Sequence, residues 1–371
     1  MHNILLVGGD FNNEGGRKSG VVKELESNFN KNPDLNLTTY NGGEYNDLEK
    51  IIDTVYEYDF VIWMPNVPNE LNKIRNVKTR NQKAILCTSK ANVSRKYSTQ
   101  DIIARALNVK ANLIIEIYKR FGDDNYAFKL LDPLGNMWYN DTNIPRLCEV
   151  LYQRFVYLKS IKRAQSIQTF PDAVDVPKIN KTFLNRIREC SEIFHNLIKP
   201  SESCERFLGN ASFRCLRGFP SCKIKNSIYV SRRNVDKTNI TAEDFVHVFS
   251  NNSAIGRYYY RGKNKPSVDT PVQIALYDEL PKIRYMIHSH CYIEGAPYTT
   301  NMIPCGGLEE IDEILNTIDR EYGSRKKRFY AINLIGHGSI VMSKRARSLK
   351  KVKYRERFLP EISSFPSMDI N

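Results

Sequence analysis

The sequence predicts two α/β domains, and three observations lead there. At 371 residues the chain exceeds what a single hydrophobic core ordinarily serves. Its first 165 residues alternate short apolar runs with helical stretches. Beyond Lys181 that rhythm gives way to closely spaced strands carrying paired histidines. The expected division is 1–165 for the first domain, 166–180 for a linker, 181–350 for the second domain and 351–371 for a tail.

The N-terminal elements follow in order. Asn3–Gly8 is continuously apolar, as a parallel strand buried on both faces must be. It runs into Gly8-Gly9-Asp10, and a helix is expected after Gly15-Gly16-Arg17-Lys18-Ser19. Leu35–Tyr40, Asp59–Met64 and Lys83–Thr88 read as further strands. Asp47–Tyr58, Thr99–Lys119 (as one helix or a pair) and Arg146–Arg163 read as helices. Strands separated by helices give a parallel sheet covered on both sides, a Rossmann/flavodoxin-like domain. Ligands of such sheets sit beyond the carboxyl ends of the strands. The loop Gly8–Ser19 is the natural place, with Lys18 and backbone N–H groups available to an anion. It has neither P-loop nor dinucleotide-fingerprint spacing, and a plain tight turn explains it equally well. The role of this domain stays open.

Composition narrows the function classes. A hydrophobic fraction of 41%, with 21 Tyr and 17 Phe, indicates a folded protein. There is no apolar run long enough to cross a membrane and no leader-like N-terminus, so a cytoplasmic protein is expected. Eight cysteines without a Cys-x-x-Cys pair read as free thiols. The net charge of +14 is read mainly as a solvated basic surface and in part as a field for small anionic substrates. A nucleic-acid partner is the weaker reading.

The second domain holds the chemistry. After Lys181–Leu197, an amphipathic helix, come Gly209-Asn210-Ala211-Ser212, Pro266-Ser267-Val268-Asp269-Thr270-Pro271, Ile287-His288-Ser289-His290 and Gly336-His337-Gly338. Strand side chains repeat every two residues, so a His-x-His pair on a strand puts both imidazoles on one face. A third histidine from a later strand completes a three-nitrogen metal site with one position open to substrate. Glycines beside His337 allow close backbone approach. Asp269 also reads as the cap of a helix over Val272–Leu280, with Pro271 in the first turn.

These segments, in this order, resemble the class II aldolase/adducin family, over about Lys181 to Val341. Gly209-Asn-Ala-Ser-Phe-Arg214 is similar to its Gly-Asn-x-Ser-x-Arg motif. Lys265–Pro271, Met286–His290 and Leu334–Gly338 resemble the acidic segment and the two metal segments. The resemblance implies a class II aldolase-like α/β/α domain. It also implies a divalent metal, most simply Zn²⁺, on His288, His290 and His337, with Asp269 as acid/base or metal-side carboxylate. Asn210, Ser267, Arg233 and Asn234 fall at substrate-anchoring positions. The implied reaction is lyase cleavage of a phosphorylated ketose through an enediolate. The alternatives are sugar-phosphate 4-epimerisation and a non-catalytic, adducin-like binding role. The family also implies a homotetramer with active sites completed by neighbours.

Three departures stand out. Val268 replaces the second serine of the family's Ser-Ser pair, and Arg233-Asn234 replaces its Ser/Thr-Gly. Cys291–Gly307 is short and shows no counterpart of the epimerases' neighbour-subunit Asp. Tyr354 is the available candidate for a C-terminal tyrosine acid/base.

Overall fold

A computed structural model describes residues 1–120, 125–173, 176–198, 201, 203–215, 227–250 and 256–356. Its contacts divide the chain into two units, the first ending at Lys159 with residues 201 and 203–206 added to it.

The first unit is built from β1 (His2–Asn12), α1 (Gly20–Phe29), β2 (Leu35–Glu44), α2 (Tyr45–Thr54), β3 (Phe60–Asn66), α3 (Glu70–Arg80), β4 (Ile85–Ala91), α4 (Thr99–Asn108), β5 (Leu113–Lys119), β6 (Tyr126–Leu131), β7 (Met137–Asp141) and α5 (Ile144–Ser160). The sheet order is β2-β1-β3-β4-β5-β6-β7. Pairing is parallel from β2 to β5 and antiparallel beyond. Leu5, Val7, Val61 and Trp63 pack with α2, α3 and α4 on one face. On the other, Phe60 stacks on Phe155 of α5, centroids 4.5 Å apart. Both faces are thus covered, and the Rossmann/flavodoxin-like class holds.

Two differences from the sequence reading have local causes. Thr99–Lys119 is not all helix. Lys110 adopts a left-handed φ of 57° that stops the helix, and the Ile-rich run Leu113–Lys119 becomes β5. The antiparallel edge β6–β7 was not anticipated, since its aromatic and charged residues break the apolar pattern of the central strands.

The second unit contains β8 (Gln165–Thr169), α6 (Lys181–Ile198), β9 (Asn210–Arg214), β10 (Ser227–Ser231), β11 (Phe245–Phe249), β12 (Arg257–Arg261), α7 (Thr270–Glu279), β13 (Tyr285–Ser289), β14 (Tyr292–Ile293), α8 (Glu309–Tyr322), β15 (Phe329–Leu334), β16 (Gly338–Ser343) and β17 (Tyr354–Arg355). Its eight-stranded sheet runs β15-β16-β13-β9-β10-β11-β12-β8. All neighbours are antiparallel except β12 and β8.

Alternation along the strands sorts two cores. Val230, Met286, Ile332 and Ile340 meet α7 and α8 on one face. Phe213, Tyr229, Tyr285 and Ile287 meet Phe183 and Ile187 of α6 on the other. This is an α/β/α sandwich. The expected linker needs correcting at its start, because residues 165–169 form edge strand β8, paired with β12 from Arg257↔Gln165 to Arg261↔Thr169. Tyr354–Arg355, expected in the tail, pair with Tyr292–Ile293. Cys222 and residues 357–371 lie outside the described residues. No helix among the described residues is long and apolar enough to cross a membrane.

Candidate metal centre

β13 lies inside the sheet and delivers His288 on the same face as Met286, the face that α7 and α8 cover. His290 follows one residue beyond the strand's end at Ser289, so the alternation continues into the turn rather than staying on the strand as expected. His337 likewise sits in the turn between β15 and β16, not within a strand. Gly338 explains how that turn reaches β13. A Cβ there would collide with the Ser289 carbonyl and lie 2.6 Å from the His290 Cα.

The three histidines are brought together. Their ring centroids are 5.2 Å (His288–His290), 4.7 Å (His288–His337) and 5.3 Å (His290–His337) apart. One ring nitrogen from each lies within 4.8 Å of the others, and all three residues are buried. The surroundings orient two of the rings. Nδ1 of His288 donates to the Ser339 carbonyl at 3.0 Å. Nδ1 of His337 donates to Oε1 of Glu310 at 2.6 Å. An Nδ1–H committed this way leaves Nε2 with its lone pair for a metal. Nε2 of His288 is buried without a hydrogen-bond partner, 3.8 Å from Oδ2 of Asp269. A buried acceptor left unmatched is costly, and a cation removes that cost. The donor set therefore fits a divalent metal.

Electrostatics agree. Burial, helped by His337, drives the His288 imidazole down to about 4, so it stays neutral and ready to ligate. Burial raises the Glu310 carboxyl against the pull of His337. Burial alone would push His337 down, but the Cys305 sulfur and the Glu310 carboxylate outweigh it and hold the ring well above its ordinary range. The pocket thus favours a positive charge at His337, supplied by a proton or by a metal.

Asp269 occupies the residue before α7, but its side chain makes no capping bond. The capping expectation is corrected, because both oxygens are engaged elsewhere. Oδ1 accepts from the Gly306 N–H at 3.0 Å, and Oδ2 accepts from Nδ2 of Asn210 at 2.9 Å. Nδ2 of Asn210 also donates to Oγ of Ser267 at 3.0 Å, while its Oδ1 accepts from Gln273. Asn210 and Ser267 therefore stand beside the acidic residue. Lys237, buried, donates to the Leu208 and Val235 carbonyls and braces the turn before Asn210.

Arg233 and Asn234 are exposed. Asn234 keeps a left-handed φ of 59°, a conformation asparagine tolerates, and its Oδ1 accepts from Phe207 N at 2.9 Å. The glycine-like backbone survives without the glycine. Arg232 is held by Asp244 at 2.8 Å. Tyr354 does not join the histidines. It packs with α6, its ring 4.8 Å from that of Phe194, in the core on the opposite face of the sheet. In the first unit, the Gly8–Ser19 loop is closed on itself. The Asn41 side chain bonds both Ser19 N and Ser19 O, and Asp10 N donates to Arg17 O.

Sequence reading assigned no role to Cys305, Glu310 or Gln273. Cys305 carried a signal, lying in an Ile-Pro-Cys segment after the His-x-His pair. Glu310 and Gln273 carried none, since each is placed by helix packing alone.

Residues 189–349, less than half of the chain, match the family model described as the class II aldolase and adducin N-terminal domain. The second unit over those residues is a domain of that family. Among solved structures, an L-fuculose 1-phosphate aldolase is 12% identical (TM-score 0.31), over 47% of this chain and 82% of that one. A second, from Glaciozyma antarctica PI12, is 14% identical (TM-score 0.28), over 47% and 72%. A DNA/pantothenate metabolism flavoprotein from Streptococcus pneumoniae is 11% identical (TM-score 0.34), over 43% of this chain and all of that one. A search of curated proteins found no match.

Proposed function

We propose that this class II aldolase/adducin domain is a metal-dependent lyase that cleaves a phosphorylated ketose or related sugar through an enediolate. The observation that carries the reading is the buried convergence of His288, His290 and His337, with Asp269 beside them. These three imidazoles would hold the ion, most simply Zn²⁺. When bound, it would act as a Lewis acid on the substrate's adjacent oxygens.

The chain's own residues supply the rest. Glu310 and the Ser339 carbonyl hold the rings of His337 and His288, which would face the ion. Asp269, buried and held by two donors, is positioned to take or give the proton as the carbon–carbon bond breaks. Exposed Arg233, with Ser267 and Asn234, would receive the phosphate end through charge-assisted hydrogen bonds. In this reading the enzyme is a cytoplasmic homotetramer.

An aspartate rather than a glutamate at position 269 also suits 4-epimerisation, which shares the same carbon–carbon cleavage. The complete histidine triad speaks against a purely adducin-like binding role. A screen of phosphorylated ketoses for metal-dependent aldehyde release tests the lyase. Conversion to a 4-epimer without aldehyde release would select the epimerase instead. Substrate binding without turnover in the metal-loaded protein would select the binding role.

A further inference from the structure

We propose that the Cys305 thiol is a fourth ligand to the same metal ion, closing the site in its resting state. This rests on the reading of the three histidines as its other ligands.

Sγ of Cys305 lies 3.1 Å from Nε2 of His337, the nitrogen that the Glu310 bond leaves for the metal. Cys305, His337 and Asp269 also place their donor atoms within 4.8 Å of one another, so two donor triplets share His337. In the same cluster, Nε2 of His288 is buried without a hydrogen-bond partner. The sulfur is held in place through its backbone. The Cys305 carbonyl accepts from Nη1 of Arg163 at 2.7 Å, and the next N–H, from Gly306, donates to Asp269 at 3.0 Å. Gly306 has a φ of 74°, and a Cβ on it would come within 2.6 Å of the Val268 side chain. The turn can therefore be this tight only with glycine, and its tightness aims the preceding residue at His337.

The chemistry of the residue type points the same way. A neutral thiol is a weak hydrogen-bonding group and gains little from a neutral imidazole; a thiolate gains when a positive charge stands beside it. Thiolate sulfur is a strong ligand for zinc and cobalt. Bond lengths of about 2.3 Å to sulfur and 2.0 Å to nitrogen put tetrahedral S···N neighbours about 3.5 Å apart. Toward His337 the sulfur needs only a few tenths of an ångström of adjustment, whereas it must move further to share one ion with His288 and His290, which lie in the other donor triplet. On binding, the thiol proton leaves to solvent, the S–metal bond forms, and no atom changes oxidation state. Three imidazoles and one sulfur would supply the four donors that zinc ordinarily takes. With four protein donors the resting ion would have no open position, so a substrate would have to compete with the sulfur for it.

Cobalt provides the test, since thiolate–cobalt bonds give a near-ultraviolet charge-transfer band that imidazole ligands do not. Metal-free full-length protein is titrated with Co²⁺ alone. The wild type should bind about one ion per chain and show the band. Cys305→Ser should keep the visible cobalt bands, lose the near-ultraviolet band and bind cobalt about tenfold more weakly or worse. Cys291→Ser, changed beside His290, should keep the band. Cobalt bound without the band in the wild type, or a band that survives Cys305→Ser, would overturn the sulfur ligand and leave the histidine site standing. No stoichiometric cobalt in the wild type would overturn both.

Discussion

Asp269→Asn isolates the carboxylate from its surroundings. Both oxygens accept from fixed donors, Gly306 N at 3.0 Å and Nδ2 of Asn210 at 2.9 Å. An asparagine must turn its NH₂ toward one of them, and an unmatched buried donor pair costs about 1–3 kcal/mol. The site holds a way out. Gln273, whose Oε1 has no hydrogen-bond partner, can rotate to accept from Asn210. Asn210 can then turn its own oxygen to the new amide. With both amides rotated the cost should fall to roughly 1 kcal/mol or less. Asp269→Ala has no such relay and orphans the buried Gly306 N–H, so the full roughly 1–3 kcal/mol should appear. Turnover of an accepted ketose phosphate should fall by about 10²–10⁴-fold in both variants, the usual share of a general acid/base. Urea midpoints and single-turnover rates for the two variants supply the data. A folded Asn variant with wild-type turnover would refute the catalytic role of the carboxylate.

Glu310→Ala should weaken zinc binding by about 10–100-fold, since it frees the His337 ring, and Glu310→Gln should fall between it and wild type. Competition with a chromophoric chelator measures this, and unchanged affinity in the Ala variant would remove Glu310 from the site. His288 titrates at about 4 in the fold against 6.5 unfolded, so its contribution to the stability of the metal-free protein is full above pH 6.5 and is lost as pH falls toward 4. Urea midpoints at several pH values in that window, with chelator present, should decline less steeply for His288→Gln than for wild type; parallel slopes would contradict the burial argument. Light scattering should find a closed oligomer, a tetramer on the proposed reading, and a monomer at micromolar concentration would count against sites completed by neighbours.

Much of this was legible in the sequence because it depends on period and spacing. The unbroken apolar run Ile4–Val7 announced a strand buried on both faces, and Phe60–Trp63 lies in a segment that read as a further strand. The His-x-His spacing placed His288 and His290 together, and the glycine after His337 hinted at the close approach that Gly338 makes. What could not be read depends on packing between distant segments. Glu310 reaches His337 from the first turn of α8, and Cys305 reaches it from a loop whose conformation is set by Gly306. Asp269 looked like a helix cap because local sequence suggested one, but the tertiary partners Gly306 and Asn210 compete successfully for its oxygens. The β8 edge strand was hidden for the same reason, since a five-residue polar strand shows itself only through its partner β12.

The central claim is that His288, His290 and His337 bind a metal, and elemental analysis of the purified protein tests it most directly. The account predicts about one divalent ion per chain, zinc in the simplest case, and none after dialysis of a folded His290→Ala variant. A wild-type protein that holds no ion even after loading, or a His290→Ala variant that keeps full occupancy, would contradict it.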